Sequence, residues 1–193
     1  MEKETNIATQ LLKQLIAQTS FSKTEENAAA VFRNFLTKNA IPFQTQLNNT
    51  WATNKFYDRS KPTILLNSHI DTVKPNPNWT LNPFEPKEID GKIYGLGSND
   101  AGGPLVALST TFLHFYALEN LSFNLILLAS AEEEISGKNG IESLSSITDN
   151  CEFAIIGEPT EMAAAVSERG LMVLDGKIIG KAGHAAREEG INA

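Results

Sequence analysis

An apolar run, Thr63-Ile64-Leu65-Leu66, stops at Asn67-Ser68 and delivers a histidine and an aspartate two positions apart, His69 and Asp71. Strand residues two apart point to one face, so this spacing sets an imidazole beside a carboxylate. Such a carboxylate can hold the far N–H of the ring, fix its tautomer and raise its basicity, leaving the other nitrogen for a metal ion. Two further apolar runs end in acid. Phe123 to Ala129 leads into Ser130-Ala131-Glu132-Glu133-Glu134, and Phe153-Ala154-Ile155-Ile156 leads into Gly157-Glu158-Pro159-Thr160. Asp100 sits in the glycine-rich stretch Gly95 to Gly103, and His184 follows Gly183.

Taken singly, each of these has an ordinary explanation. His69 and Asp71 could be a polar pair at a loop, and Asp100 a helix cap. The three glutamates could be a solvated acidic run, Glu158 a turn residue and His184 an exposed loop histidine. The set is more informative than its members. Acids gathered at one sheet edge cost several kcal/mol per unpaired charge unless cations cancel them. Oxygen and nitrogen ligands without thiolate suit zinc, with manganese or cobalt as substitutes.

The elements that must carry these residues are legible. Ile7, Leu11, Leu12, Leu15 and Ile16 recur at helical spacing. Ser22 and Glu25 read as a capping box for a second helix with a stripe of Ala28, Val31, Phe32, Phe35 and Leu36. Two short strands around Asn48-Asn49 are expected between Phe43 and Tyr57. Asp90-Gly91 signals a turn before a short strand, Lys92-Ile93-Tyr94. A helix should begin near Pro104 and run to about Leu118, and another should cover Gly140 to Ser146. Apolar strands alternating with helices and ending in charge predict an α/β fold: helices flanking a mixed, largely parallel sheet, with a site along one edge. After Gly170 the pattern changes to a strand and turn over Leu171 to Gly180, then the start of a helix.

The bulk numbers narrow the function. A formal charge of −7 and a pI near 5.0 over 193 residues argue against a nucleic-acid or anionic-membrane surface. The single cysteine, Cys151, excludes an intrachain disulfide and a Cys-rich zinc cluster. Met1-Glu2-Lys3-Glu4 is charged with no apolar signal core behind it, and no stretch is long enough to span a bilayer, so a cytoplasmic protein is expected. Gly95-Leu96-Gly97 does not read as a dinucleotide fingerprint, because Asp100 replaces the third glycine and the preceding strand is poor.

Five pieces together resemble the dizinc amidohydrolase and exopeptidase family containing acetylornithine deacetylase, succinyl-diaminopimelate desuccinylase and carboxypeptidase G. They are Ser68-His69-Ile70-Asp71-Thr72-Val73, Gly97-Ser98-Asn99-Asp100-Ala101-Gly102-Gly103, Glu132-Glu133-Glu134, Gly157-Glu158-Pro159-Thr160 and Gly183-His184. The resemblance implies a zinc-exopeptidase-like catalytic domain over residues 1–169, incomplete, and the beginning of a smaller α+β lid and dimerisation domain over 170–193. It implies two divalent ions, zinc with cobalt or manganese possible. His69 would bind one ion with Asp71 orienting it, Asp100 would bridge, Glu134 would bind the second and Glu158 the one held by His69. Glu133 would be the general base and acid, and His184 would help hold the oxyanion, typically across a dimer interface. The triple glutamate leaves a one-residue ambiguity, resolved here by aligning Glu132 with the acidic residue before the catalytic pair. A cis peptide bond is implied between Asp100 and Ala101.

The implied reaction is hydrolysis of the amide of an N-acyl amino acid, N-acetylornithine or an N-succinyl amino acid, in arginine or lysine synthesis. The tail from Ala185 to Ala193 leans to the deacetylase branch. A di- or tripeptidase or a carboxypeptidase of the same family, and a truncated metal-binding fragment without activity, are the alternatives. The family's last metal-binding histidine lies near the end of a chain close to twice this length. The histidines here are His69, His114 and His184, and His114 reads as a surface or structural residue. The sequence is therefore expected to be an amino-terminal portion of a homodimeric enzyme. The Lys that many relatives carry is absent from Gly102-Gly103-Pro104.

Overall fold

The computed structural model describes residues 2–167, 169, 170, 172, 174, 176–181, 183 and 191. The chain divides into two compact units, Met1–Glu161 and Met162–Ala193. In the second, Lys181 and Ile191 exchange backbone hydrogen bonds of 2.9 and 3.0 Å. His184 and the helix start expected beside it lie outside the described residues, as do Leu171, Val173 and Asp175 of the expected strand.

The first unit carries the site. It is built from α1 (Glu2–Ile16), α2 (Glu26–Lys38), β1 (Gln44–Gln46), β2 (Asn49–Thr53), β3 (Thr63–His69), β4 (Lys87–Ile89), β5 (Lys92–Tyr94), α3 (Gly102–Phe115), β6 (Asn124–Ser130), α4 (Ser145–Thr148) and β7 (Phe153–Ile156). The main sheet has the order β1-β2-β6-β3-β7. β3 is parallel to both β6 and β7, while β1 and β2 join the far side antiparallel. The sheet is thus mixed, flanked by helices, as the alternation of runs predicts. β4 and β5 form a separate hairpin around Asp90-Gly91.

Alternation along β6 divides the core between two faces. Leu125, Leu127 and Ala129 pack with α1, α2 and α3, around Leu11, Phe32, Leu36 and Phe112. Ile126 and Leu128 point the other way, onto Leu65 and Leu144. Every residue of β6 is buried, as expected of a strand with both faces covered. β7 differs: it forms the sheet edge, and Phe153, Ile155 and Ile156 are exposed.

Several local expectations change. The helix expected over Gly140 to Ser146 is a 3₁₀ turn, Ile141–Leu144, followed by the single turn of α4. The capping box does not form. α2 starts at Glu26 without a side-chain cap, and Ser22 and Glu25 turn inward to partners distant in sequence. α3 begins two residues before Pro104. Among the described residues, no helix is long and apolar enough to cross a membrane.

Candidate metal centre

The chain leaves β3 for β6 on one side and later returns to β7 on the other, so strand order reverses at β3. The crevice at the carboxyl ends of such strands is where open α/β sheets bind ligands. His69 closes β3, Glu133 and Glu134 follow β6, and Glu158 follows β7. Asp100 enters from the loop before α3, and the Asp100–Ala101 peptide bond is cis, as the resemblance implies.

These side chains converge. His69 Nε2 lies 3.1 Å from Asp100 Oδ1 and 3.8 Å from both Glu133 Oε2 and Glu158 Oε1. Ligand atoms of His69, Asp100 and Glu134 lie within 4.8 Å of one another, and so do those of His69, Glu133 and Glu158. The imidazole is buried at the floor of the group, while the Asp100 and Glu133 side chains are more than half exposed at its mouth. Glu132 faces elsewhere: its buried carboxylate accepts from Asn139 Nδ2 at 2.9 Å. His114 is on α3 at the surface, 3.3 Å from the Glu4 carboxylate.

Asp71 sits beside His69, but its geometry departs from a simple carboxylate–imidazole pair. The ring Nδ1 is 2.9 Å from the backbone carbonyl oxygen of Asp71 and 3.4 Å from its carboxylate. A carbonyl can only accept, so Nδ1 holds a proton, and Nε2 is the nitrogen turned to the acids, free to ligate a metal once its own proton is displaced. The carboxylate is engaged elsewhere. Its Oδ1 accepts the Glu133 N–H at 3.0 Å, and its Oδ2 accepts the Glu134 N–H at 3.2 Å and the Ser22 hydroxyl at 2.7 Å.

Electrostatics follow from this crowding. Burial pulls the His69 pKa down, but the Asp71 carboxylate and then Glu158 and Glu133 outweigh it, pushing the group up to about 9. Burial raises the Asp71 carboxyl, yet His69, Ser22 and the Glu133 N–H hold it below the usual range. Glu134 is raised by burial and by Asp100. Glu158 is raised by burial and by its acidic neighbours, against the pull of His69. One imidazole thus faces four carboxylates that repel one another. Divalent cations would remove that repulsion, and a donor set of nitrogen and oxygen fits zinc, manganese or cobalt.

The supporting residues carry no motif of their own. Ser68 Oγ lies 2.8 Å from the Gly157 carbonyl and 3.2 Å from the Ala101 carbonyl, tying two site loops to β3. In the glycine-rich loop, Gly97 has φ +73°, and a Cβ there would meet Thr72 Cγ2 at 2.7 Å. Gly102 donates to the Gly97 carbonyl, and a Cβ on it would stand 2.5 Å from that oxygen. These glycines let the loop close tightly enough to bring Asp100 over His69.

The chain matches known proteins over the same residues. It is 31% identical to the acetylornithine deacetylase of Photorhabdus laumondii, over 95% of this chain and 51% of that protein. It is 29% identical to the succinyl-diaminopimelate desuccinylase of Psychromonas ingrahamii, over 91% of this chain and 50% of that one. The chain therefore spans about half the length of these curated relatives. The fold is similar to that of YXEP of Bacillus subtilis, a dinuclear metal binding peptidase from the M20 family, with a TM-score of 0.59 and 18% identity over 79% of this chain and 43% of that one. Residues 65–171, which hold the β3 histidine, the Asp100 loop, the paired glutamates and Glu158, match the family described as peptidase family M20/M25/M40, and the chain belongs to it.

Proposed function

We propose that the gene product is a metal-dependent amidohydrolase that cleaves the amide bond of an N-acyl amino acid, N-acetylornithine or an N-succinyl amino acid, in amino-acid synthesis such as that of arginine. The observation that carries this reading is the meeting of His69 Nε2 with the carboxylates of Asp100, Glu133, Glu134 and Glu158 at the switch point of the sheet. In this reading His69, Asp100, Glu134 and Glu158 would hold two divalent ions, zinc by preference. Bound there, such ions supply Lewis acidity toward a carbonyl oxygen and lower the pKa of a water molecule.

The protein's own residues do the rest. Asp71 fixes His69 with Nδ1 protonated, so that Nε2 faces the acids. Glu133, exposed at the mouth, takes a proton at its carboxylate from the attacking water and passes it to the departing amine nitrogen. The amine leaves neutral with the acyl group as a carboxylic acid, or, once the second proton of the water also passes to it, protonated with the acyl group as a carboxylate. His184 is the proposed donor to the oxyanion. Residues 1–169 form the amino-terminal part of the catalytic domain, and 170–193 open a lid and dimerisation domain of a cytoplasmic homodimer.

The test is a substrate profile of the metal-loaded, full-length gene product on N-acetylornithine, N-succinyl amino acids and dipeptides. Preference for an N-acyl amino acid supports the proposal. Preference for dipeptides favours a peptidase, and metal binding without turnover of any of them refutes an amidohydrolase. Glu133→Gln should lower kcat by about 10²–10⁴-fold while leaving the metal content unchanged.

A further inference from the structure

The loop after β6 presents three successive backbone N–H groups, and two buried carboxylates take all three. Glu132 N–H donates to Glu25 Oε1 at 3.3 Å, Glu133 N–H to Asp71 Oδ1 at 3.0 Å, and Glu134 N–H to Asp71 Oδ2 at 3.2 Å. Glu25 is fully buried and comes from the loop between α1 and α2, more than a hundred residues earlier in the chain. Its remaining partners are the Lys23 N–H at 2.7 Å and Asn48 Nδ2 at 2.9 Å. The same loop reaches Asp71 through the Ser22 hydroxyl at 2.7 Å. It is tied to the segment just beyond β3 as well, because Thr72 N–H donates to the Ser20 carbonyl at 2.8 Å.

The consequence is directional. Glu132 is left-handed at φ 55°, its carboxylate goes to Asn139, and a 3₁₀ turn over Glu133–Ile135 begins at the next residue. Pinning three consecutive N–H groups from below leaves Glu133 and Glu134 with their side chains on the His69 side. A carboxylate accepts such bonds strongly, and a buried one left without them is costly, so the arrangement holds at both ends.

We propose that Glu25, assisted by Ser22, is a positioning residue of the metal centre: the α1–α2 loop grips the Glu132–Glu134 backbone so that the Glu133 and Glu134 carboxylates reach the ions. This rests on the metal-centre reading above. Neither residue touches a ligand atom. Their influence passes through the main chain of the acid loop and, for Ser22, through Asp71.

The test uses the full-length gene product, titrated with Co²⁺ and followed by its visible absorption spectrum, with affinities measured by competition well below the unfolding temperature. Glu25→Ala orphans the Glu132 N–H and is expected to weaken metal binding by about 10–100-fold and to alter the Co²⁺ spectrum. Glu25→Gln keeps an acceptor oxygen for Lys23 and Glu132 and, with the half-buried Asn48 amide turned over, should restore most of the affinity and the spectrum. Ser22→Ala, which keeps the proposal testable if Glu25→Ala does not fold, should lose about 3–10-fold, one hydrogen bond's worth. Asn124→Ala is the control for lost stability. It removes a buried hub at the opposite end of β6, bonded to Asp58 and Lys61, and should lower Tm without moving the spectrum. If Glu25→Ala or Ser22→Ala lowers Tm like the control and leaves affinity and spectrum as in the wild type, the proposal is overturned. Glu134→Ala separates the two levels: an unchanged metal stoichiometry there would sink the metal-centre reading itself.

Discussion

Asp71→Asn isolates the contribution of one buried carboxylate. The side chain is fully buried and accepts three hydrogen bonds while lying 3.4 Å from His69 Nδ1. Asparagine has the same shape but one acceptor oxygen. With its amide nitrogen where Oδ2 stands, Ser22 can rotate and accept, but the nitrogen meets the Glu134 N–H head on. With the nitrogen at Oδ1, it meets the Glu133 N–H. One loop N–H is orphaned either way, at about 1–3 kcal/mol, and the surviving bond loses its charge assistance, worth about 1 kcal/mol more. Relief from burying a charge offsets part of this, so a net loss of about 2–4 kcal/mol is expected for the metal-free protein near neutral pH.

The pH dependence sharpens the same prediction. His69 rises from 6.5 to about 9 on folding, so the stability it contributes is complete below 6.5 and fades as the pH climbs through 9. Its size is roughly 3 kcal/mol, shared among Asp71, Glu158 and Glu133. The deficit of Asp71→Asn should therefore be largest near pH 6 and narrower near pH 10. Urea unfolding of wild type and variant in the presence of a chelator, at both pH values, measures it. A difference below about 0.5 kcal/mol near pH 6, or one that grows with pH, would refute the reasoning.

Two further outcomes follow from the geometry. Metal binding must displace the proton from His69 Nε2, so roughly one proton per chain should be released near pH 8. Calorimetric titration in buffers of different ionisation enthalpy counts it, and release of none would mean that His69 is not a ligand. Gly102→Ala places a Cβ 2.5 Å from the Gly97 carbonyl and 2.8 Å from Leu12, in a loop with no room to give. It should cost about 1–3 kcal/mol in thermal unfolding and weaken metal binding together with it, because the same loop carries Asp100.

Much of the site was legible because strands announce their ends. The apolar runs over β3, β6 and β7 stop where the buried sheet stops, and the next residues are the ones that meet at the centre. Helical spacing in the same way gave α1, α2 and α3 their buried faces. Where local rules misled, a distant partner had won. Ser22 and Glu25 have the spacing of a capping pair, yet Ser22 bonds Asp71 and Glu25 bonds the acid loop, because buried acceptors and N–H groups outcompete a solvated helix end. β7 reads like β6 in composition, and only strand order put one at the edge and the other inside.

The sequence by itself determined the element types, the α/β class and the residues able to ligate a metal, since periodicity and side-chain chemistry are local properties. Residue types leave open which of three adjacent glutamates face the histidine; the family resemblance points to Glu133 and Glu134, and the tertiary structure brings those two to it and turns Glu132 away. It also decided that Asp71 presents its carbonyl to the ring and its carboxylate to the acid loop. Those choices depend on hydrogen bonds between segments far apart in the chain, and no local pattern records where two such segments meet.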